Sequence, residues 1–351
     1  MMALSTRTAP GLSPDQVAET GAWLASLQLP SGMVPWHVGG HADPWNHVEA
    51  AMALAAAGRW AEVDRAFEWL AENQLPDGSW CTFYVPGGVV EPRRDPNVCA
   101  YVATGSWWCY QLGAGRSWLE DRWPMVERAV RWCLSYQRLS GEVIWSVGPD
   151  GVPGGFALLA ANSSLQQSLA SAAAVAGALG HHRPHWSQAA ARISEAVAAR
   201  PGAFAPKGRW AMDWYYPVLA GAISGEEARA RLLRRWAEFV EPGLGVRCVA
   251  DRFWVTAAET AECAMAAGRA GLRAQAETLL GWAEHLRDPI GAYWTGCAHP
   301  ECVRFPGGQR STYSAAAVVI ADHVLWARSP AARIFSATGP SSGAESRSLR
   351  G

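Results

Sequence analysis

The chain has 351 residues, half of them hydrophobic and 17% charged, with 30 Lys+Arg against 31 Asp+Glu. That apolar share is enough for a packed core and excludes wholesale disorder. A net charge of −1 leaves no basic excess to neutralise a phosphate backbone, so no nucleic-acid partner is expected.

Residues 1–13 read as an N-terminal extension without the apolar run of a signal peptide. Two kinds of helix then alternate. Stretches 16–27, 61–73, 125–136, 186–199, 226–240 and 273–286 are amphipathic: in 61–73, Val63, Phe67 and Leu70 share a face while Glu62, Asp64 and Glu68 lie elsewhere. Between them, 45–57, 97–111, 163–179, 212–223, 256–270 and 312–327 are small and apolar almost all round. A helix apolar on every side must be buried on every side. The economical arrangement is all-α, an (α/α)6 toroid with six inner and six outer helices over residues 14–328. Strand signals are weak, with 81–85 a strand-like loop edge at most. Residues 329–351, rich in Ser, Gly and Ala, read as a disordered tail outside the toroid. No run of eighteen apolar residues occurs, so no transmembrane helix is expected and a cytoplasmic location is the default.

A repeat marks the outer-helix ends: Gln28, Gly32, Trp36; Gln74, Gly78, Trp80; Gln137, Gly141, Trp145; and a degenerate Arg287, Gly291, Trp294. Its physical role is a helix stop, with Gly in a left-handed turn, Gln on free carbonyls and Trp packed over the end. The three indoles are therefore expected to be buried. This Gln-x3-Gly-x(1–3)-Trp pattern resembles the QW motif of the terpenoid cyclase and protein prenyltransferase superfamily, and the whole chain resembles actinobacterial prenyltransferase-like proteins. The resemblance implies the toroid and an isoprenoid substrate. The Asp-x-Asp-Asp proton donor of squalene–hopene-type cyclases and the Asp-Asp-x-x-Asp metal motif of ionising synthases are both missing.

The inner-helix N-termini surround one mouth of a toroid, and this sequence places polar residues there. Asp43, Trp45, Asn46 and His47 open the first inner helix, Asp95 and Asn97 the second, and Gln166 and Gln167 the third. Asp213 with Trp214, Tyr215 and Tyr216 opens the fourth, Trp254 and Glu259 the fifth, and Tyr313 the sixth. Asp before Pro suits a helix cap, and capping alone explains Asp43 and Asp95. Asp213, amid aromatic residues, is the leading candidate for a protonated acid, expected to lie near Asp43, His47, Asp95 or Glu259. Glu259 and Glu262, one helical turn apart, can shift each other's pKa. The catalytic candidates are thus Asp213, Asp95, Asp43, His47 and Glu259. Trp45, Trp107, Trp108, Trp214, Tyr215, Tyr216, Trp254 and Tyr313 would wall the cavity.

Two enzyme readings follow. The first is an acid-initiated terpenoid cyclase or prenyltransferase-like enzyme, whose cation runs along aromatic faces; such an apolar substrate would also bring the chain to a membrane surface. The alternative is a carbohydrate-active (α/α)6 hydrolase or lyase, with Asn46, Asn97, Gln166 and Gln167 on hydroxyl groups. A third is a non-catalytic binding toroid. A deep apolar pocket would favour the isoprenoid, a polar cleft the sugar. No cofactor is expected; zinc on Cys297, His299 and Cys302 is a weaker reading, since the spacing matches no familiar paired-Cys pattern.

Overall fold

The computed structural model describes residues 11–337. In chain order the elements are α1 (Pro14–Leu27), α2 (Pro44–Ala56), α3 (Trp60–Asn73), β1 (Phe83–Val85), β2 (Gly88–Glu91), α4 (Pro96–Cys109), α5 (Arg116–Leu134), α6 (Leu159–Leu179), α7 (Pro184–Ala199), α8 (Ala211–Leu219), α9 (Gly225–Arg234), α10 (Trp236–Phe239), β3 (Val240–Glu241), β4 (Gly245–Arg247), β5 (Trp254–Thr256), α11 (Ala257–Arg269), α12 (Arg273–Ala283), β6 (Trp294–Ala298), β7 (Val303–Arg310) and α13 (Thr312–Leu325). Helices α2, α4, α6, α8, α11 and α13 each pack on the next, and α13 packs back on α2, closing an inner ring. The others lie outside, so the (α/α)6 toroid read from the sequence is the observed fold. The inner helices are buried on most sides; in α11, Ala257, Ala258, Ala261, Ala264, Ala266 and Ala267 are all buried. Small residues let such axes approach closely. In α3 the buried set is Val63, Ala66, Phe67, Trp69 and Leu70, the stripe its period dictates.

The repeat stitches the outer ring. Gln28 donates to Gly32 O at 3.1 Å and across to Glu62 O on α3 at 2.8 Å. Gln74 repeats this onto Met125 O of α5, and Gln137 onto Ala189 O of α7. Arg287, in the degenerate copy, bonds Gln16 O and Glu19 of α1 and so closes the circle. The glycines are required twice over: Gly78 has φ +97°, and a Cβ there would lie 2.5 Å from Arg128 O on α5. Trp80 is buried, with Nε1 on Leu70 O at 2.8 Å. Trp36 and Trp145, expected to be buried with it, are only half-buried, because they belong to the mouth described below.

Other departures have identifiable causes. Helix α5 begins nine residues before the expected 125, running through Pro124; Pro removes one bond but does not end a helix whose neighbours hold it. The charged stretch 226–240 breaks at Arg235 into α9 and α10. An antiparallel meander, β3-β4-β5-β6-β7, was not legible at all. Its first four strands have two to five residues, and β5 pairs with β6 across two intervening helices.

The tail does not lie outside the toroid where it is described. Ser329 caps a 3-10 turn, Pro330–Ile334, and Ala331, Ile334 and Phe335 are buried. Phe335 packs on Trp108, 6.2 Å between centroids, while Gln167 donates to Ile334 O at 2.8 Å. Apolar side chains hidden in a Ser/Gly/Ala-rich stretch thus close the end of the ring where the inner helices finish. The remainder of the expected tail, 338–351, and residues 1–10 of the extension lie outside the described residues. Among the described residues no helix is long and apolar enough to cross a membrane.

Candidate functional site

At the open mouth, side chains one turn inside four inner helices meet. Trp45 and Glu49 share a face of α2, at i and i+4, as do Asn97 and Tyr101 on α4. Glu49 Oε1 accepts from Trp45 Nε1 and from the Tyr101 hydroxyl, each at 3.1 Å. The Trp45 ring lies 5.3 Å from Tyr101 and 5.8 Å from Tyr216 of α8. Beside them the Tyr215 hydroxyl donates to Glu262 of α11. All of these except Trp45 are buried.

Burial dominates the electrostatics of this floor. It pushes Glu49 up to about 7, partly offset by the Tyr101 and Trp45 donors and reinforced by the Asp43 charge. It holds Glu262 well above the usual carboxylate range, with Glu49 and Glu259 adding repulsion. Tyr101, Tyr215 and Tyr216 are likewise raised by burial and stay neutral donors. The buried Asn97 Oδ1 has no hydrogen-bond partner, which leaves an acceptor for a hydroxyl.

Around the floor runs a rim. Glu259, in the first turn of α11, accepts from the Thr256 hydroxyl and is half-buried. Asp43, Glu49, Asp95, Asp213 and Glu262 are all buried. Tyr313 lies with its ring edge on Trp36, 5.1 Å away. Trp36 Nε1 donates to Asp43 Oδ2 at 2.5 Å, and the half-buried Asn46 bonds both Asp43 oxygens, at 2.6 and 3.0 Å. Burial raises Asp43, and the Asn46 and Trp36 donors pull it back. Asp95 is pushed to about 7 by burial against the N–H groups of Val98 and Asn97, Arg93 and the Trp145 indole. Both aspartates cap their helices, as the Asp-Pro pattern implied.

Several expected site residues serve the scaffold instead. His47 is fully buried: Nδ1 accepts from Val34 N–H at 3.1 Å, Nε2 donates to Ala66 O at 2.9 Å, and the ring packs on Trp69. Burial depresses it to about 4, so it has neither a free nitrogen nor a proton to exchange near neutrality. Asp213 accepts from Ala160 N–H at 3.3 Å, at the start of α6, which has no cap of its own. Its carboxyl is raised by burial and opposed by the Ala160 bond and then Arg231, Lys207 and Arg235. No hydrogen bond among the described residues joins it to Asp43, His47, Asp95 or Glu259; the bond it makes caps α6. Gln166 is spent on Ala220 O and Ser194, and Gln167 on the closed end. Trp107 and Trp108 occupy the last turn of α4, away from the mouth. Trp214 stacks on Phe239 and bonds Arg231 O, facing the outer ring. Trp254 belongs to the meander, edge-on to Phe305. Cys297 and Cys302 are joined as a disulfide, and His299 turns away onto Phe253, 5.2 Å off, so the three residues of the weaker zinc reading are not brought together.

The residues missed from sequence are Glu49 and Tyr101. Their signal was present, since Glu49 is the one charged residue of α2 and lies a turn from Trp45. The floor is polar, with two carboxyls, phenol hydroxyls and an unpaired amide oxygen. A hydrocarbon seated there would desolvate them without replacing a hydrogen bond.

No family model matches the sequence. The chain is 43% identical over 325 residues to the MMP endo-(1,4)-3-O-methyl-alpha-D-mannosidase of Mycolicibacterium hassiacum, covering 92% of this chain and 90% of that protein. Solved structures with the same fold include a D-mannose isomerase (TM-score 0.71, 11% identical, 92% of this chain and 99% of that one) and a wild-type glycosidase (0.68, 15%, 90% and 99%). A third is the GH63 mannosylglycerate hydrolase of Thermus thermophilus (0.66, 15%, 86% and 99%). These findings overturn the terpenoid cyclase and prenyltransferase reading, with its isoprenoid substrate. The repeat that suggested it is a stitch between outer helices and carries no information about the reaction. At 43% identity over nearly its whole length, the chain belongs to the family of the MMP endo-(1,4)-3-O-methyl-alpha-D-mannosidase.

Proposed function

We propose that this chain is a glycoside hydrolase that cleaves within chains of α-(1,4)-linked 3-O-methylmannose, at the open mouth of the toroid. The observation that carries the reading is the 43% identity to an enzyme of that name. The site supports it with a polar floor under an aromatic rim, suited to sugar hydroxyls and to the apolar faces and methyl groups of the rings.

Hydrolysis of a glycosidic bond needs one carboxyl to protonate the leaving oxygen and another to take a proton from water. A carboxyl kept protonated near neutrality by burial marks the donor of such a pair. Glu49, held near 7 by burial, is the proton donor. Glu259, half-buried at the rim and fixed by Thr256, is the carboxylate that activates water. Trp45 and Tyr101 keep Glu49 Oε1 occupied, leaving Oε2 to carry the proton. Asn97 Oδ1 receives a substrate hydroxyl. The test is digestion of an α-(1,4)-linked 3-O-methylmannose oligomer, followed by reducing-end assay and mass spectrometry. Shorter chains, each cut adding one water, are expected. Glu259→Gln and Glu49→Gln should each lower turnover by about a hundredfold or more with folding intact. Wild-type turnover in Glu259→Gln would remove it from the reaction.

A further inference from the structure

A second cluster of chemically able groups lies away from the floor. His285 sits in the 3-10 turn that ends α12, Cys297 on β6, and Cys302 just before β7. One donor atom from each lies within 4.8 Å of the others, the only such His/Cys/Asp/Glu group among the described residues. His285 is oriented as a ligand: its Nε2 donates to Leu244 O at 2.8 Å, which leaves the Nδ1 lone pair facing Cys302 Sγ at 3.7 Å. A backbone carbonyl on the far nitrogen is the usual way a metal-binding imidazole is fixed. Cys302 is one of two non-glycine residues in the described chain with positive φ, at 55°. Its backbone adopts an unfavoured conformation at the point where its sulfur meets Cys297 and His285, and such outliers persist where the surroundings enforce them. Arg304 holds the same turn, donating to His285 O at 2.9 Å.

We propose that His285, Cys297 and Cys302 form a redox-gated site for a thiophilic divalent cation of the zinc type. In the disulfide form both sulfurs are committed to each other. A dithiol reductant supplies two electrons and two protons, is itself oxidised to a disulfide, and leaves two thiols. The cation then displaces the two thiol protons and takes two thiolates and Nδ1, with water as fourth ligand. Donor atoms around tetrahedral zinc lie about 3.5–3.8 Å apart, so once the disulfide is opened the two sulfurs separate while the His285 nitrogen, within 4.8 Å of them, draws in. The ion would clip the end of α12 to the β6–β7 hairpin, next to the strand that carries Trp254. The other cysteines do not compete: Cys81, Cys99, Cys109, Cys133 and Cys263 are free and buried and Cys248 is half-buried, and none of them joins a group of three or more potential ligands among the described residues.

The full chain, reduced with a phosphine that is oxidised to its oxide, is loaded with zinc, desalted and assayed for metal per chain. Cobalt(II) serves as the spectroscopic probe. One zinc per reduced chain is expected, with a thiolate-to-cobalt charge-transfer band. The disulfide form should bind none. His285→Gln and Cys302→Ser should each weaken binding by at least about tenfold, while His299→Ala leaves it unchanged. Circular dichroism verifies that each variant is folded; should Cys302→Ser unfold, the His285→Gln and His299→Ala comparison decides. Reduced wild type without stoichiometric zinc, His285→Gln binding as tightly as wild type, or equal binding by the disulfide form would each overturn the proposal.

Discussion

His47 and Glu49 are two residues apart on α2, and the helix treats them oppositely. His47 points outward, with both ring nitrogens occupied and a pKa near 4; Glu49 points to the axis, with a pKa near 7. For Glu49 the folded value exceeds the ordinary 4.5, so the folded state holds the extra proton between about pH 4.5 and 7, and stability falls as pH rises through that window. His47 has the opposite sign: its folded value lies below the ordinary 6.5, so its contribution strengthens from about pH 4 to 6.5. Glu49→Gln mimics the protonated acid and removes the falling limb. Urea unfolding should show the variant gaining on wild type between pH 5 and 7, by on the order of 1–3 kcal/mol. Identical pH slopes would mean that Glu49 does not titrate in that window. Residue types alone flagged His47, Asp43 and Asp95 because they are polar residues at helix starts. They could not separate a capping carboxylate from a catalytic one, since that depends on which face the neighbouring helices leave open.

At the scale of elements, every inner helix was legible, because a helix buried all round advertises itself in composition. The sheet was not, because its pairing joins segments on either side of α11 and α12, and strand pairs that far apart leave no periodic trace. The Gln/Gly/Trp repeat was legible as a helix stop, but its partner was hidden. Each copy reaches the next outer helix rather than its own. Gly78→Ala tests this stitch. The added methyl meets Arg128 O as well as an unfavourable φ, so the loss should be about 2 kcal/mol or more. Gly151→Ala is the control: φ is +83° but the space around it is open, so only the backbone cost of about 1–2 kcal/mol is expected. Equal losses would show that the helix contact contributes nothing.

Over the whole molecule, the toroid has one open and one closed end, and the closing segment was the part read as tail. Phe335, 2% exposed on Trp108, fastens that end. Phe335→Ala should lower stability by about 3–5 kcal/mol in denaturant unfolding; a loss under about 1 kcal/mol would mean that the segment only rests on the ring. The ring is also joined by its extremities. Leu12 N–H donates to Asp322 at 2.7 Å, Thr20 to Gly291 O at 2.8 Å, and Thr312 to Pro35 O at 2.8 Å. These contacts span some 270 to 310 residues of chain. Their loop-closure entropy can be met only after the last helix exists. During synthesis the first helices must therefore wait, with α2 lacking α13 on one flank, until nearly the whole chain has left the ribosome. Until then an apolar inner helix keeps an open side, which makes the unfinished chain a natural client for a holding chaperone.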